Sequence, residues 1–151
     1  GELGVFVQME DGRRFYASAA LPLWVVTLFL WLHRKQTYIC QAELLAALCA
    51  MLTFPDLLRG RLVHHFVDNS AAKSGLVKGA SSSPDSARIV LEYHMQVVRL
   101  QSSPWIGFVY SEDNISDPPS RGDFQLMRAL GAVRRPMVFP QLRGFFGELP
   151  F

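Results

Sequence analysis

The order of its predicted elements assigns this sequence to the α/β class, with a mixed β-sheet flanked by helices. Two alternating apolar segments at the start predict an antiparallel hairpin, and two later apolar segments, at 62–67 and 105–111, are separated by helical sequence. We predict that these two later strands run parallel, because a crossover through helices returns the chain to the same end of a sheet. The length of 151 residues favours one domain with a substantial core.

The first two strands are predicted at 3–9 and 13–19 by the stretches LGVFVQM and RRFYASA, with the turn signal EDG between them. The apolar stretch LPLWVVTLFLWL follows at 21–32. It holds about a dozen residues, fewer than the roughly 20 that a membrane-spanning helix needs. We therefore predict a core or surface-docked helix here, and no membrane as a partner.

Two long helices are predicted at 36–54 and 87–101. The first ends before Pro55 and has a stripe of apolar residues near helical spacing, formed by Ile39, Leu44, Leu48, Met51 and Leu52. Pro84 and Asp85 suit the first turn of the second helix. Both helices are expected to pack on the sheet.

Shorter helices are predicted at 70–77 and 123–130, and the loop between 112 and 122 is polar and broken by prolines. From Gly131 onward the chain has glycines, prolines and aromatic residues without a sustained period. The predicted organisation is a domain at 1–131 followed by an extension or linker at 132–151.

The composition restricts the class of protein without naming a function. Half of the residues are hydrophobic and the formal net charge is +2, which excludes disorder over most of the chain and permits nucleic-acid binding without requiring it. The two cysteines, Cys40 and Cys49, lie in apolar helical sequence. Buried, reduced thiols in an intracellular protein are the simplest interpretation.

Three acidic residues occupy positions where a mixed sheet gathers its functional groups. Glu43 lies among apolar neighbours in a helix, Asp68 ends the strand at 62–67, and Asp117 lies in the loop after the last strand. Carboxylates that converge at a strand edge bind hard cations such as Mg²⁺. Two such ions, about 3.5–4 Å apart, support phosphodiester hydrolysis. The alternative for Asp68 is a helix cap, a role that Asn69 and Ser70 can also serve.

The stretches QAELLAALCAML, FVDNSAA with LVKG, and W…YSEDNISDPPSR together resemble the ribonuclease H-like domain that follows the polymerase in reverse transcriptases of retroelements. The resemblance covers about residues 3 to 122. It implies a hydrolase that cleaves the RNA strand of RNA–DNA hybrids, with Mg²⁺ or Mn²⁺ as cofactor and an upstream polymerase in the same polyprotein. It also implies that Glu43, Asp68 and Asp117 are three of four metal-binding catalytic acids.

The sequence departs from this family at its start. The family's first acid lies on a central strand that precedes a stretch similar to GELGVFV, and here the sequence begins at Gly1. We therefore expect a ribonuclease H-like domain that is truncated or degenerate at its N-terminus, inactive as given and poorly stable. Without the central strand, the hairpin either leaves a gap beside strand 62–67 or slides across to pair with it.

Several other polar residues have both a functional and an ordinary interpretation. Contacts with nucleic-acid phosphates are possible for a set of residues near the acids, which surface solvation or helix capping explains equally well: Asn69, Lys73, Lys78, Arg88 and Arg121. His64 and His65 alternate along a strand, so one is expected to face inward as a structural histidine, and His94 is expected on the solvated surface. A non-catalytic relative that positions nucleic acid for the polymerase, and a purely structural module, remain the competing functions.

Overall fold

The computed structural model describes residues 2–27, 38–81 and 83–141, which form a mixed α/β fold of small sheets flanked by helices. The chain opens with the antiparallel pair β1 (Glu2–Gln8) and β2 (Arg14–Ala20). Gly12 adopts a φ of +91° in the connecting turn, a conformation that glycine tolerates and other residues rarely adopt. The predicted hairpin is thus confirmed.

The helix that follows the hairpin includes residues 23–27 (α1), and the rest of the predicted stretch, 28–32, lies outside the described residues. Helix α2 (Ile39–Thr53) corresponds to the prediction at 36–54, of which residues 36 and 37 are also not described. It is apolar on most sides, and Leu44, Leu48 and Met51 are buried as predicted. Ile39, in contrast, is 62% exposed because it lies in the first turn, beyond the packed part of the helix.

A short helix, α3 (Pro55–Leu58), leads to β3 (Leu62–Val67), α4 (Ser70–Lys78), α5 (Pro84–Leu100) and β4 (Ser103–Phe108). Strands β3 and β4 pair in parallel, from Leu62 with Ser103 to Val67 with Phe108, as predicted. Strand β4 begins earlier than the predicted range of 105–111 and ends at Phe108. Residues 111–113, shortly after the strand, form a turn of 3-10 helix.

Two short helices, α6 (Asp117–Ser120) and α7 (Gln125–Ala129), follow β4. The next segment, β5 (Val133–Arg134), pairs in parallel with β2. Arg135 then makes a bidentate ion pair with Asp56, at 2.6 and 2.9 Å, and its guanidinium lies over the rings of Phe15 and Phe54. The start of the predicted extension is therefore docked on the domain as extended chain.

The core lies between helix α2, helix α5 and the inner faces of the strands. Tyr93 on α5 is fully buried, and its hydroxyl lies 2.9 Å from Nδ1 of His65. Dense packing around His65 lowers its pKa to about 4, so the ring is neutral at physiological pH. The neighbouring His64 is exposed beside Trp105, which confirms the predicted alternation of the two histidines.

The described strands form two separate sheets, with the orders β1-β2-β5 and β3-β4. Strand β1 lies at the edge of the first sheet and β3 at an edge of the second, so neither pairs with the other. The hairpin has therefore not moved across to complete a single sheet. The helices in the described ranges all fall short of the length and apolarity that crossing a bilayer requires.

Candidate functional site

Asp68 follows β3 directly, at the point where the chain turns into α4. The cap of this helix is Asn69, whose side-chain oxygen accepts a hydrogen bond of 2.9 Å from the backbone N–H of Ala72. The carboxylate of Asp68 therefore has no capping role to fulfil. The interpretation of Asn69 as the cap is confirmed, and its possible contact with nucleic acid stays a prediction.

Asn114 holds the Asp68 carboxylate from the loop after β4. Its Nδ2 donates to Oδ2 of Asp68 at 3.1 Å. Its Oδ1 in turn accepts hydrogen bonds from the backbone N–H of Ser116 at 3.1 Å and from the Ser116 hydroxyl at 2.8 Å. Because the amide oxygen is held on one side, the amide nitrogen is directed at Asp68.

Glu43 lies on α2 between side chains that belong to the core, including Leu44 and Leu45. Its pKa is raised from 4.5 to about 8 by burial, by the charge of Asp68, by a hydrogen bond with Asp68, and by the charge of Asp117. A carboxyl group of this kind is protonated at neutral pH and can donate its proton to the neighbouring carboxylate. Glu43 and Asp68 can therefore share this proton. A bound cation is the other way to balance the charge of the two carboxyl groups.

Asp117 is the first residue of α6, and its charge acts on Glu43. One of its oxygens is engaged by Arg121, with Nη2 of Arg121 at 2.5 Å from Oδ2. The position of α6 is fixed by a close backbone approach to β1, since a Cβ on Gly4 would lie 2.6 Å from the carbonyl oxygen of Ser116. A hydrogen bond of 2.9 Å from the Ser18 hydroxyl to the carbonyl of Pro119 holds the same helix against β2.

The fold thus brings Glu43, Asp68 and Asp117 into one electrostatically coupled group, although they come from three distant parts of the chain. Carboxylate oxygens are the donors that Mg²⁺ and Mn²⁺ prefer, so the donor chemistry fits such an ion. Across the described ranges, however, no three acidic, histidine or cysteine side chains stand close enough together to ligate one ion.

Of the other predicted nucleic-acid contacts, Lys73 and Lys78 lie on α4 and Arg88 lies on α5. Lys73 is partly exposed near the first turn of α4, and Lys78 is exposed at its end. The N-terminal residue of the helix, Ser70, is separated from Lys78 by about 12 Å along the axis, at 1.5 Å per residue. Arg121 directly contacts Asp117, one of the three acids.

His94 differs from its predicted place on the solvated surface. Its Nε2 lies 2.8 Å from the carbonyl oxygen of Leu76, so the ring connects α5 to α4. Asn114 and Ser116, in contrast, received no role from the sequence, although Asn114 lies only three residues before Asp117 in the motif that carries the resemblance. This spacing is the sequence signal that could have identified Asn114 as part of the site.

Comparisons of this chain with models of protein families, with curated proteins and with solved structures gave no significant match. Its function is therefore inferred from its own residues and their geometry.

Proposed function

We propose that this chain is part of a metal-dependent endonuclease domain that cleaves the RNA strand of RNA–DNA hybrids, within the polyprotein of a retroelement reverse transcriptase. The observation that carries the proposal is the raised pKa of Glu43, which arises from burial of its carboxyl group and, in addition, from the charges of Asp68 and Asp117. Carboxylates brought together in this way repel one another, and this repulsion destabilises the fold. A purely structural module gains nothing from such an arrangement. Mg²⁺ or Mn²⁺ is the cofactor class that fits these groups.

When bound, such ions supply a nucleophilic water and stabilise the leaving oxygen of a phosphodiester. The residues of the chain hold the site for them. Asn114 fixes the direction of the Asp68 carboxylate. Glu43, on α2, would lose its proton when it holds a cation, and Asp117, at the start of α6, would complete the set of carboxylates. Burial of Glu43 also limits the access of bulk water to one side of the group.

The substrate class follows from the resemblance and from the charges around the acids. A hybrid duplex is recognised by its shape, its phosphates and its 2′-hydroxyl groups. Arg121 contacts Asp117, one of the three acids. Lys73 lies on α4, the helix that begins just after Asp68, and Lys78 lies further along that helix. These cations suit phosphate contacts on one side of a duplex. A polymerase in the same polyprotein and an intracellular location belong to the same proposal.

The division of the described strands into two sheets supports a ribonuclease H-like sheet with one further central strand. The pKa of Asp11, beyond the end of β1, is lowered mainly by hydrogen bonds from Arg13 and, more weakly, by the charge of Arg61, before the start of β3. At the opposite end, α6 packs on Gly4 of β1, while Asp117 at its start acts on the Glu43–Asp68 pair beside the end of β3. Strands β1 and β3 are edge strands of two different sheets and do not pair with each other. We propose that a strand carrying the fourth acid belongs between these two edges.

The second candidate function is a non-catalytic module that positions nucleic acid for a neighbouring polymerase. The observation in its favour is that the acids in the described part of the chain are not grouped closely enough to ligate one metal ion. In such a module the cations of α4 and Arg121 are retained, whereas the identity of the three acids has no effect on function.

The decisive experiment uses the longer coding sequence that includes the strand upstream of Gly1. We expect the purified protein to cleave the RNA strand of a hybrid when Mg²⁺ is added, and Asp68→Asn to lower the rate by orders of magnitude. The substitution keeps the size and the hydrogen-bonding shape of Asp68 and removes only its charge. The helix cap is unaffected because Asn69 provides it.

Asn69→Ala is the matched control for this experiment. It removes the cap at a cost of about 1 kcal/mol in stability, while the charge of Asp68 is kept. We expect cleavage to survive in this variant. Cleavage by Asp68→Asn at the parental rate would exclude Asp68 as a metal ligand and remove the main support for the proposed mechanism. The absence of cleavage in the parent, together with intact hybrid binding, would favour the non-catalytic module.

A further inference from the structure

The ion pair between Asp117 and Arg121 joins an acid of the candidate site to a cation that the proposed substrate requires. It is a short contact, 2.5 Å, across one turn of chain. The two partners differ in their access to solvent, since the Asp117 side chain is 23% exposed and the Arg121 side chain is 71% exposed. Breaking the pair therefore leaves the acid facing the other carboxylates and releases the guanidinium into solvent.

The groove next to this pair indicates where the released guanidinium can go. Asp117 and Arg121 both line an open groove, together with the 3-10 turn at 111–113 and Leu126. A phosphate in this groove would lie beside Arg121. Glu112 and Asp113 also line the groove, so Arg121 is the cation that makes an anionic backbone acceptable there.

We propose that Arg121 is a latch: it occupies the carboxylate of Asp117 until a divalent cation displaces it, and it then binds a phosphate of the nucleic-acid backbone. This inference rests on the proposed function, because it requires both a metal ion and a polynucleotide. The cation and the guanidinium compete for the same carboxylate of Asp117. Metal binding and phosphate binding at this groove are therefore coupled through one side chain.

If Arg121 and a divalent cation compete for Asp117, removing Arg121 should strengthen Mg²⁺ binding and weaken binding of the hybrid. A merely structural role for Arg121 does not predict these opposite changes. We would measure Mg²⁺ binding to the full chain by calorimetry, and binding of an RNA–DNA hybrid in Ca²⁺ at several salt concentrations. For Arg121→Gln we expect Mg²⁺ to bind about twofold to fivefold more tightly, the range that a partly exposed ion pair permits. We expect hybrid binding to weaken and its salt dependence to fall by about one phosphate contact.

The matched control is Arg13→Gln. Arg13 also pairs with an aspartate, Asp11, at 2.7 Å, and both of those side chains are 55% exposed at the hairpin turn. The substitution removes the same charge from the chain, so it reports any general gain in cation attraction. We expect it to change Mg²⁺ affinity by less than about 1.5-fold, because an exposed charge at a distance is largely screened.

Three results distinguish the inference from the proposed function on which it rests. Tighter Mg²⁺ binding with weaker hybrid binding in Arg121→Gln, and neither change in Arg13→Gln, supports the latch. Unchanged or weaker Mg²⁺ binding in Arg121→Gln, with normal binding in the parent, overturns the latch alone. A parent chain that binds no Mg²⁺ at millimolar concentration, with or without the upstream strand, overturns both.

Discussion

Asn114 donates a hydrogen bond of 3.1 Å to the carboxylate of Asp68, which lies 46 residues earlier in the chain. The bond connects the loop after β4 to the end of β3, the two places where the parallel strands deliver the chain to the same edge of the sheet. Since Ser116 holds the other end of the Asn114 amide, the direction of the bond is fixed by the loop itself. The acid that ends β3 is therefore oriented by the loop that carries Asp117.

We predict that Asn114→Asp destabilises the protein at pH 8 by about 1–3 kcal/mol. The substitution removes the donor to Asp68 and places a like charge beside it, and both effects disfavour the folded state. An aspartate has an ordinary pKa of about 3.9, so at about pH 3 the new carboxyl group is largely protonated and can donate again, and the loss should shrink. Urea unfolding of parent and variant at the two pH values measures this difference.

Asn69→Asp is the control for this prediction. It makes the same chemical change in the residue next to Asp68, but Asn69 accepts rather than donates its hydrogen bond, and Asp serves equally well as a helix cap. We expect a loss below about 0.5 kcal/mol at pH 8, typical of substitutions that keep the local interaction. Equal losses in the two variants would show that the Asn114–Asp68 bond contributes nothing specific.

The pKa of Glu43 predicts a pH dependence of stability in the absence of divalent cations. This pKa is raised from 4.5 to about 8 on folding, so the folded state binds the proton more tightly than the unfolded state does. The resulting stabilisation is fully present below about pH 4.5 and is lost as the pH rises towards 8. Each pKa unit corresponds to about 1.4 kcal/mol, so the loss is on the order of a few kcal/mol, reduced by the partial exposure of the group.

Glu43→Gln tests this directly, because glutamine keeps the shape of the protonated acid and can still donate to Asp68. In EDTA we expect the variant and the parent to have similar unfolding free energies at pH 5, and the variant to be the more stable at pH 8.5. Glu112→Gln, in the exposed 3-10 turn, should follow the parental profile. Parallel profiles for Glu43→Gln and the parent would contradict the raised pKa.

The close approach of Gly4 to α6 predicts an asymmetry between two glycine substitutions. A Cβ at Gly4 would meet the backbone of Ser116 and Ser120 at 2.6 Å, and backbone cannot rotate away. We expect Gly4→Ala to lower the unfolding free energy by about 1–3 kcal/mol, the range of overpacking. Because α6 carries Asp117, the variant should also weaken any metal binding.

Gly75→Ala is the matched substitution in helix α4. Its Cβ would lie 3.5 Å from a side-chain carbon of Val90 and 3.6 Å from the carbonyl oxygen of Ala80, which are ordinary contacts. Alanine is favoured over glycine in helices by about 1 kcal/mol, so this variant should be neutral or more stable than the parent. Thermal unfolding of both variants measures the contrast, and a loss in Gly75→Ala as large as that in Gly4→Ala would refute the steric explanation.

For Arg135 we predict that the packing of its guanidinium on the rings of Phe15 and Phe54 contributes more to stability than its ion pair with Asp56. Asp56 is 59% exposed in its side chain, so Asp56→Asn should cost less than about 1 kcal/mol and should cost nothing at high salt. Arg135→Ala also removes the guanidinium from the rings of Phe15 and Phe54, at 5.2 and 5.1 Å. We expect it to cost about 1–2 kcal/mol, much of it independent of salt.

Urea unfolding at 0.05 and 1 M NaCl separates the two contributions of Arg135. The control is Arg13→Ala, since Arg13 pairs with Asp11 at the surface in the same way but is exposed. A loss for Arg135→Ala that disappears in 1 M NaCl would assign the whole interaction to charge. Such a result would remove the aromatic contacts from the account of how the C-terminal segment docks.

The sequence by itself determined the hairpin, the long helices and the two parallel strands, because their signals are local, whereas α3, α6 and β5 were not predicted. The turn EDG and its alternating flanks predicted the hairpin, Pro84 predicted the start of a helix, and the histidine pair predicted one inward and one outward ring. Caps, turns and periodicity depend on a few neighbouring residues, so they can be recognised without the fold. The polar positions that deserve attention, Glu43 and Asp68, were also visible as charges beside apolar segments.

Only the tertiary structure decided what those polar residues do to one another. The cap at the end of β3 is provided by Asn69, which leaves Asp68 to Asn114 and Glu43. The pKa of Glu43 is raised by burial and by the charges of Asp68 and Asp117, which come from distant segments. His94 connects two helices instead of facing solvent for a similar reason. Hydrogen bonds and charge interactions of this kind depend on distances between residues far apart in the chain, and the packing of α2, β3 and α6 sets those distances.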